Sequence, residues 1–468
     1  MTAHDSFASP FSWRYGSEAM RAIWSEHYKR RIWRKIWCAL ASVQAEVGLV
    51  SREQAEDLAK HIDDIDVARS FEIEAEIQHD LMAEVKAFAE QCPVGGGIIH
   101  LGATSADIED NADVIRIKDS LHIILSQLET LLLILSDKIE QFADVPTMGY
   151  THIQPAEPTT VGYRLSFYAQ DMLEDYALIK GHIYTTLRGK GLKGAVGTRA
   201  SYAELLTDVS VSPEELEKRV MAKLDLAYYP VTGQTYPRKQ DWLVLTGLAG
   251  LAASLHKLAF DLRLLQSPFS GEIVEPFASK QVGSSAMPFK RNPIRSEKIN
   301  SLARYVASLP QVAWMNASQS LLERTLDDSA NRREILPSAF LALDEMLMVM
   351  RNIIQNFTFD AIAARKNLDR FGMFSALERV MMAAVKAGAD RQAMHELLRN
   401  ESLAAWEVVN AGADNPLQEY LVKNAELRKY LRPEEITALL TIETYTGDAA
   451  PIAKTFADEI RHIIQNKD

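Results

Sequence analysis

The stretch Gly283-Ser-Ser-Ala-Met-Pro-Phe-Lys-Arg-Asn-Pro293 carries more chemistry than a connector between helices needs. Ser284 and Ser285 bring hydroxyls, Lys290 and Arg291 bring fixed positive charge, and Asn292 adds a neutral donor and acceptor. Gly283 frees the backbone to bend, and Pro293 suits the first position of a helix. Together these groups make an anion site; by spacing alone they also read as a Gly/Ser/Pro linker with a solvated Lys-Arg pair. Four further polar blocks interrupt the apolar patterning: Gln78-His79-Asp80, His100 with Thr104-Ser105, Thr151-His152-Ile-Gln154-Pro155, and Gly233-Gln234-Thr-Tyr236. A single histidine in such a block is ordinarily a structural hydrogen bonder. Glu323–Arg333 sets Arg324, Arg332 and Arg333 among acids and caps, and reads equally as an anion-binding cluster or a charged helix start. Gly189-Lys-Gly191-Leu-Lys-Gly194 matches GxGxxG in form but follows a helical pattern, not a strand, so a dinucleotide site is rejected there.

The elements that must position these groups are helical. Ser17 is expected to cap one helix running through Trp24, Trp33, Trp37 and Val43 to Gly48, with its tryptophans at core spacing. Ser51-Arg-Glu-Gln54 forms a capping box for the next. From Asn111, Val114, Ile117, Leu121, Ile124, Leu128, Leu131 and Leu135 recur every three or four residues, a rod of about 45 Å at 1.5 Å per residue. Similar rods are expected at about 159–188, 237–266, 293–320 and 329–357, with Pro310 and Pro337 kinking or locally breaking two of them. The fold class is therefore all-α: an N-terminal helical domain over 1–110, a central long-helix bundle over 111–360, and a C-terminal helical domain over 361–468. Rods of this length bury seams against other copies of the chain, so a homo-oligomer is expected.

The chain has 468 residues, 47% hydrophobic and 24% charged, with a net charge of −12. That balance excludes a general nucleic-acid or anionic-membrane binder, and an anionic ligand would need local positive charge. Cys38 and Cys92 form neither a CxxC nor a metal-spaced cluster, so no structural metal is expected and a reducing compartment fits. Met1–Phe11 lacks a basic region followed by an apolar run, and Leu121–Leu135 and Leu243–Leu255 read as too short or too interrupted to span a bilayer. The expectation is a cytoplasmic protein.

The Gly283–Pro293 stretch resembles the signature loop of the fumarase/aspartase superfamily, Gly-Ser-Ser-x-Met-Pro-x-Lys-x-Asn-Pro, at every fixed position. Arg291 and the following Ile294-Arg-Ser-Glu297, with the Asp327-Asp-Ser-Ala-Asn-Arg-Arg333 block, make the chain similar to the adenylosuccinate lyase family along nearly its whole length. The resemblance implies β-elimination of fumarate from adenylosuccinate, giving AMP, and from the related succinyl-aminoimidazole-carboxamide ribonucleotide, giving AICAR, in purine biosynthesis. It implies no cofactor and no metal. Ser284 would be the general base, with Ser285 the less favoured alternative, and His152 the general acid. Lys290 and Asn292 would stabilise the carbanion's charge, and Glu297 would pair with the histidine. Glu297 reads equally as a first-turn glutamate favoured by the helix dipole.

By the same resemblance, Arg14, Tyr15, Lys298, Arg324, Ser329 and Arg333 would contact nucleotide and phosphate. Gln78, His79, Asp80, Thr104, Ser105 and Gln234 would meet the succinyl and base ends. Gln78, Phe289 and Lys298 depart from the residues common in relatives, which puts details of substrate affinity in doubt. Because these blocks lie at the ends of different helices, a homotetramer with active sites shared between subunits is implied. The alternatives are a sister lyase acting on argininosuccinate, aspartate or malate, which needs no Arg324–Arg333 cluster, and a non-catalytic helical scaffold.

Overall fold

The computed structural model of the chain describes residues 6–466, so part of Met1–Phe11 and Lys467 at the end of the last expected helix lie outside the described residues. The all-α expectation is met. Five long helices carry the fold: Ser105–Gln141, Val161–Gly181, Lys239–Gln266, Ile294–Gln319 and Ser329–Asn356. Their boundaries follow the apolar periodicity closely. Leu121, Ile124, Leu128, Leu131 and Leu135 along the first are all buried, as a seam recurring every three or four residues requires.

The chain divides into two compact units, and each long helix contributes residues to both. One comprises residues 1–128, 175–253 and 301–348. Its N-terminal part holds Glu26–Glu46, at 21 residues longer than the short helices expected there, and the shorter Arg52–Lys60, Val67–Ile77 and Asp80–Gln91. The other comprises residues 129–174, 254–300 and 349–468. It has a core in which Leu368, Val380, Leu398, Leu417, Leu421 and Ile436 close on Met148.

Local rules account for most helix ends. The Ser51 capping box is complete: Gln54 N–H donates to Ser51 Oγ at 3.1 Å, and Ser51 N–H to Gln54 Oε1 at 2.9 Å. The single helix expected from Ser17 is two. Ser17 caps Glu18–Ile23 and Ser25 caps Glu26–Glu46, each accepting the N–H three residues on. The second serine cap overrides a continuous apolar stripe because it satisfies donors that a bend would otherwise expose.

Pro310 and Pro337 sit inside continuous helices, so of the expected kink or local break the break does not occur. Leu309, Ala313, Leu336 and Ala339 flank them in buried positions, and this packing outweighs the loss of one backbone hydrogen bond. Two helices, Ser105–Gln141 and Lys239–Gln266, do hold an 18-residue window long and apolar enough for a membrane span, which corrects the sequence expectation; half of each window is buried inside the fold. Both helices extend beyond the apolar runs Leu121–Leu135 and Leu243–Leu255.

The strands are few. Pro146–Thr151 and Gln154–Thr160 pair antiparallel, with Thr151 opposite Gln154, so His152 and Ile153 alone form the hairpin turn. This hairpin had no signal in the sequence: three prolines and no apolar alternation mark its strands.

Candidate active site

In the unit containing the N-terminus, a cavity of about 530 Å³ is lined by nine of the expected residues: Gln78, His79, Asp80, Thr104, Ser105, Gln234, Arg324, Ser329 and Arg333. The fold brings them together by aiming helix starts at one space. Asp80, Ser105 and Ser329 open three helices, and Arg238 immediately precedes a fourth. Helix N-termini present unsatisfied N–H groups and partial positive charge, a setting suited to anions. Gln78 takes a left-handed conformation (φ 53°) at the end of Val67–Ile77, its N–H donating to Glu74 O at 2.7 Å. That sharp reversal puts His79 at the cap of the next helix, where its Nδ1 meets Met82 N–H at 3.5 Å.

Around the cavity runs a network of ion pairs that sequence reading did not foresee. Arg238 Nη1 and Nη2 donate to both oxygens of Asp110 at 3.1 and 3.0 Å, and its Nε donates to Asp328 at 2.6 Å. Arg324 Nη1 donates to the other Asp328 oxygen at 2.8 Å. Arg332 bonds Asp241 at 2.8 Å, Asp113 at 3.1 Å and the Tyr236 hydroxyl at 2.7 Å. Arg333 reaches Asp80 at 2.9 Å. Asp328 is held below the usual carboxylate range by Arg238, Arg324 and Arg332 against the opposing effect of burial. The lining as a whole holds six cationic side chains and six carboxylates, so its arginines are already paired.

Arg238, Glu109, Asp110, Asp113, Arg116 and Lys29 are lining residues that were not assigned from sequence. The signal for the aspartates was present, since Asp110 and Asp113 share a helix with Ser105 at one-turn spacing. Trp33 and Trp37 are buried, as their core spacing predicts, and Trp24 is half-buried; Trp24 and Trp33 also touch the cavity. Arg14 and Tyr15 belong to this unit but not to the cavity lining. Arg14 is exposed beside Trp13, and the Tyr15 carbonyl accepts from Arg21 at 3.1 Å.

The GxGxxG look-alike has a structural occupation in the same unit. Lys190 and Lys193 are fully buried and paired with Asp107 and Glu217 respectively. Gly191 has φ +81°, and a Cβ there would run into the Glu217 carboxylate.

The second unit holds His152, Ser284, Lys290, Asn292, Glu297 and Lys298. The signature loop folds on itself. Asn292 Nδ2 donates to Gly283 O at 3.1 Å, and a Cβ on Gly283 would stand only 2.1 Å from Lys290 O. Glycine is thus needed for a close backbone approach. Ser284 Oγ accepts N–H bonds from Ala286 at 3.3 Å and Met287 at 3.1 Å, whereas among the described residues no hydrogen bond reaches the Ser285 hydroxyl. Phe289 and Lys290 are exposed.

His152 and Ile153 both have positive φ, 53° and 61°. Two-residue hairpin turns of this kind normally carry Asn or Gly, and a β-branched residue there is strained. Strain of this kind collects at functional positions. Glu297 lies in the first turn of its helix, 3.8 Å from Arg263; among the described residues no hydrogen bond or ion pair joins it to His152.

A family pattern described as Lyase matches residues 14–308, and one described as Adenylosuccinate lyase C-terminus matches residues 373–456. The chain is 39% identical to a curated relative named adenylosuccinate lyase from Saccharomyces cerevisiae, over 98% of this chain and 95% of the relative. A relative of the same name from Pyrococcus abyssi is 36% identical over 97% and 98%. Among solved structures, the fold is similar to 3-carboxy-cis,cis-muconate lactonizing enzyme from Pseudomonas putida, with a TM-score of 0.85 at 24% identity over 97% of this chain and 99% of that one. It is also similar to a fumarate lyase from Mesorhizobium sp. BNC1, with a TM-score of 0.83 at 22% identity over 97% and 99%. Near-complete coverage at this identity, together with the two family matches, makes the chain a member of the adenylosuccinate lyase family of enzymes.

Proposed function

We propose that the protein cleaves adenylosuccinate to AMP and fumarate, and the succinyl-aminoimidazole-carboxamide ribonucleotide to AICAR and fumarate, both in purine nucleotide synthesis. The observation that carries this reading is the full-length similarity to curated relatives named adenylosuccinate lyase. In each case a base removes a proton from the carbon next to a carboxylate, the carbanion electrons form the fumarate double bond, and the C–N bond breaks. The departing nitrogen takes a proton from an acid.

Ser284 is the proposed base. A serine hydroxyl is a weak base until it loses its proton, and the two N–H groups directed at Ser284 Oγ favour the ionised oxygen. Ser285 lacks such support. His152, at the tip of a strained hairpin, is the proposed acid, because an imidazolium N–H can pass its proton to a departing nitrogen. Lys290 and Asn292 would stabilise the charge that grows on the substrate carboxylate, while Glu297 would support His152. The loop is proposed to order over substrate and exclude water.

The charge balance of the cavity supports a site shared between subunits. A substrate with a phosphate and two carboxylates gains little from a lining whose arginines already face carboxylates, so further cations are needed. Lys290, Lys298 and Arg14 from different copies would supply them in a homotetramer. Exposed aromatic and aliphatic pairs one helical turn apart, Tyr163 with Phe167 and Phe260 with Leu264, support burial against other copies. The cytoplasm is the proposed location, in keeping with Cys38 and Cys92 as free thiols.

Fumarate release from adenylosuccinate, argininosuccinate, aspartate and malate, each offered separately, tests the reading. Selective turnover of adenylosuccinate is expected, and turnover of another substrate alone would overturn it. Ser284→Ala should remove turnover with an unchanged melting curve.

A further inference from the structure

Glu109 lies on the first turns of the Ser105–Gln141 helix and lines the cavity. Three neighbouring acids are each paired with arginine: Asp80 with Arg333, Asp110 with Arg238, and Asp113 with Arg116 and Arg332. Among the described residues no hydrogen bond or ion pair reaches Glu109. Asp113 follows one helical turn later, a spacing at which like charges repel.

Facing groups from other elements do not relieve this. Asp80 and His79 come from the start of Asp80–Gln91, and Arg333, already engaged by Asp80, comes from Ser329–Asn356. On the Glu26–Glu46 helix, Lys29 is paired with Glu26 at 2.7 Å. An unpaired carboxylate in such a wall opposes an entering polyanion, whereas a carboxylic acid can donate its O–H to one.

We propose that Glu109 is a substrate-positioning residue that takes up one proton from solvent when the anionic nucleotide binds and then donates a hydrogen bond to it. Burial pushes the Glu109 carboxyl up to about 7, with Asp80, Asp110 and Asp113 adding in the same direction and Arg333 opposing. The free protein therefore holds Glu109 largely ionised above that pH. A bound anion favours the protonated form further, so binding above about pH 7 requires proton uptake and weakens as pH rises. This inference rests on the adenylosuccinate reading and adds a residue to it.

The experiment is calorimetric titration with AMP between pH 7.5 and 8.5, where the phosphate is fully ionised. Each titration is run in two buffers of different ionisation enthalpy, with wild type and Glu109→Gln. Wild type is expected to take up close to one proton per site and to lose about fivefold to tenfold in affinity across that pH unit. Glu109→Gln should show neither effect. No proton uptake by wild type, or the same pH slope in both proteins, overturns the proposal while leaving the function intact. Failure of wild type to bind AMP at all overturns both.

Discussion

Arg238 holds both carboxylate oxygens of Asp110, at 3.1 and 3.0 Å, while its Nε is fixed to Asp328 at 2.6 Å. The pair is almost wholly removed from water, and it ties the segment before Lys239–Gln266 to the first turns of Ser105–Gln141. Truncating one partner leaves a buried charge uncompensated. Asp110→Ala is therefore expected to lose about 3–5 kcal/mol of stability. Glu396→Ala, which removes the exposed partner of Arg399, should shift the melting curve immeasurably. Thermal unfolding at fixed protein concentration makes the comparison; equal shifts would contradict it.

Gly283→Ala places a methyl group where the Lys290 carbonyl stands. The loop must open, losing the Asn292 bond to Gly283 and the placement of Ser284 and Lys290. A displacement of about 1 Å in a reacting group lowers rate by about a hundredfold. Turnover should fall by that order with little change in melting temperature, because the loop is largely exposed.

Ile153→Gly relieves the positive-φ strain at the hairpin tip, about 1–2 kcal/mol, and loses about 0.5–1 kcal/mol to the greater freedom of the unfolded chain. The net expectation is a slightly higher melting temperature together with a lower turnover number, as His152 is held less firmly. Calorimetry and a turnover assay on one preparation check both; a destabilised variant would contradict the strain argument.

His100 has φ 69° and accepts the Trp37 Nε1–H at its Nδ1, 3.1 Å away, which requires the neutral ring. Burial lowers its pKa in the folded state, Asp107 opposing. A depressed folded pKa stabilises above the unfolded value, about 6.5, and that contribution is lost as pH falls through the folded one. His100→Asn keeps an acceptor, tolerates the positive φ and does not titrate. Wild type should thus lose more stability than the variant between pH 7.5 and 5.5. A gap that stays constant with pH would show that His100 does not titrate in this range.

Much of the architecture was legible in the chain because long helices follow a local rule. The period of apolar residues set the five rods, the Ser51 box set a cap, and the literal Gly283–Pro293 loop set the family. Other features required tertiary structure. The Ser17 stripe divides at Ser25 because capping is decided residue by residue, and Pro310 stays helical because its neighbours are buried. The Pro146–Thr160 hairpin forms against its own strand propensity, and in doing so puts His152 at positive φ. Pairing is also nonlocal: Asp110 and Arg238 are 128 residues apart, and no periodicity announces that one neutralises the other. The types of chemical group were therefore written in sequence, while their charge balance, their partners and the exceptional position of Glu109 were set only by which surfaces packed together.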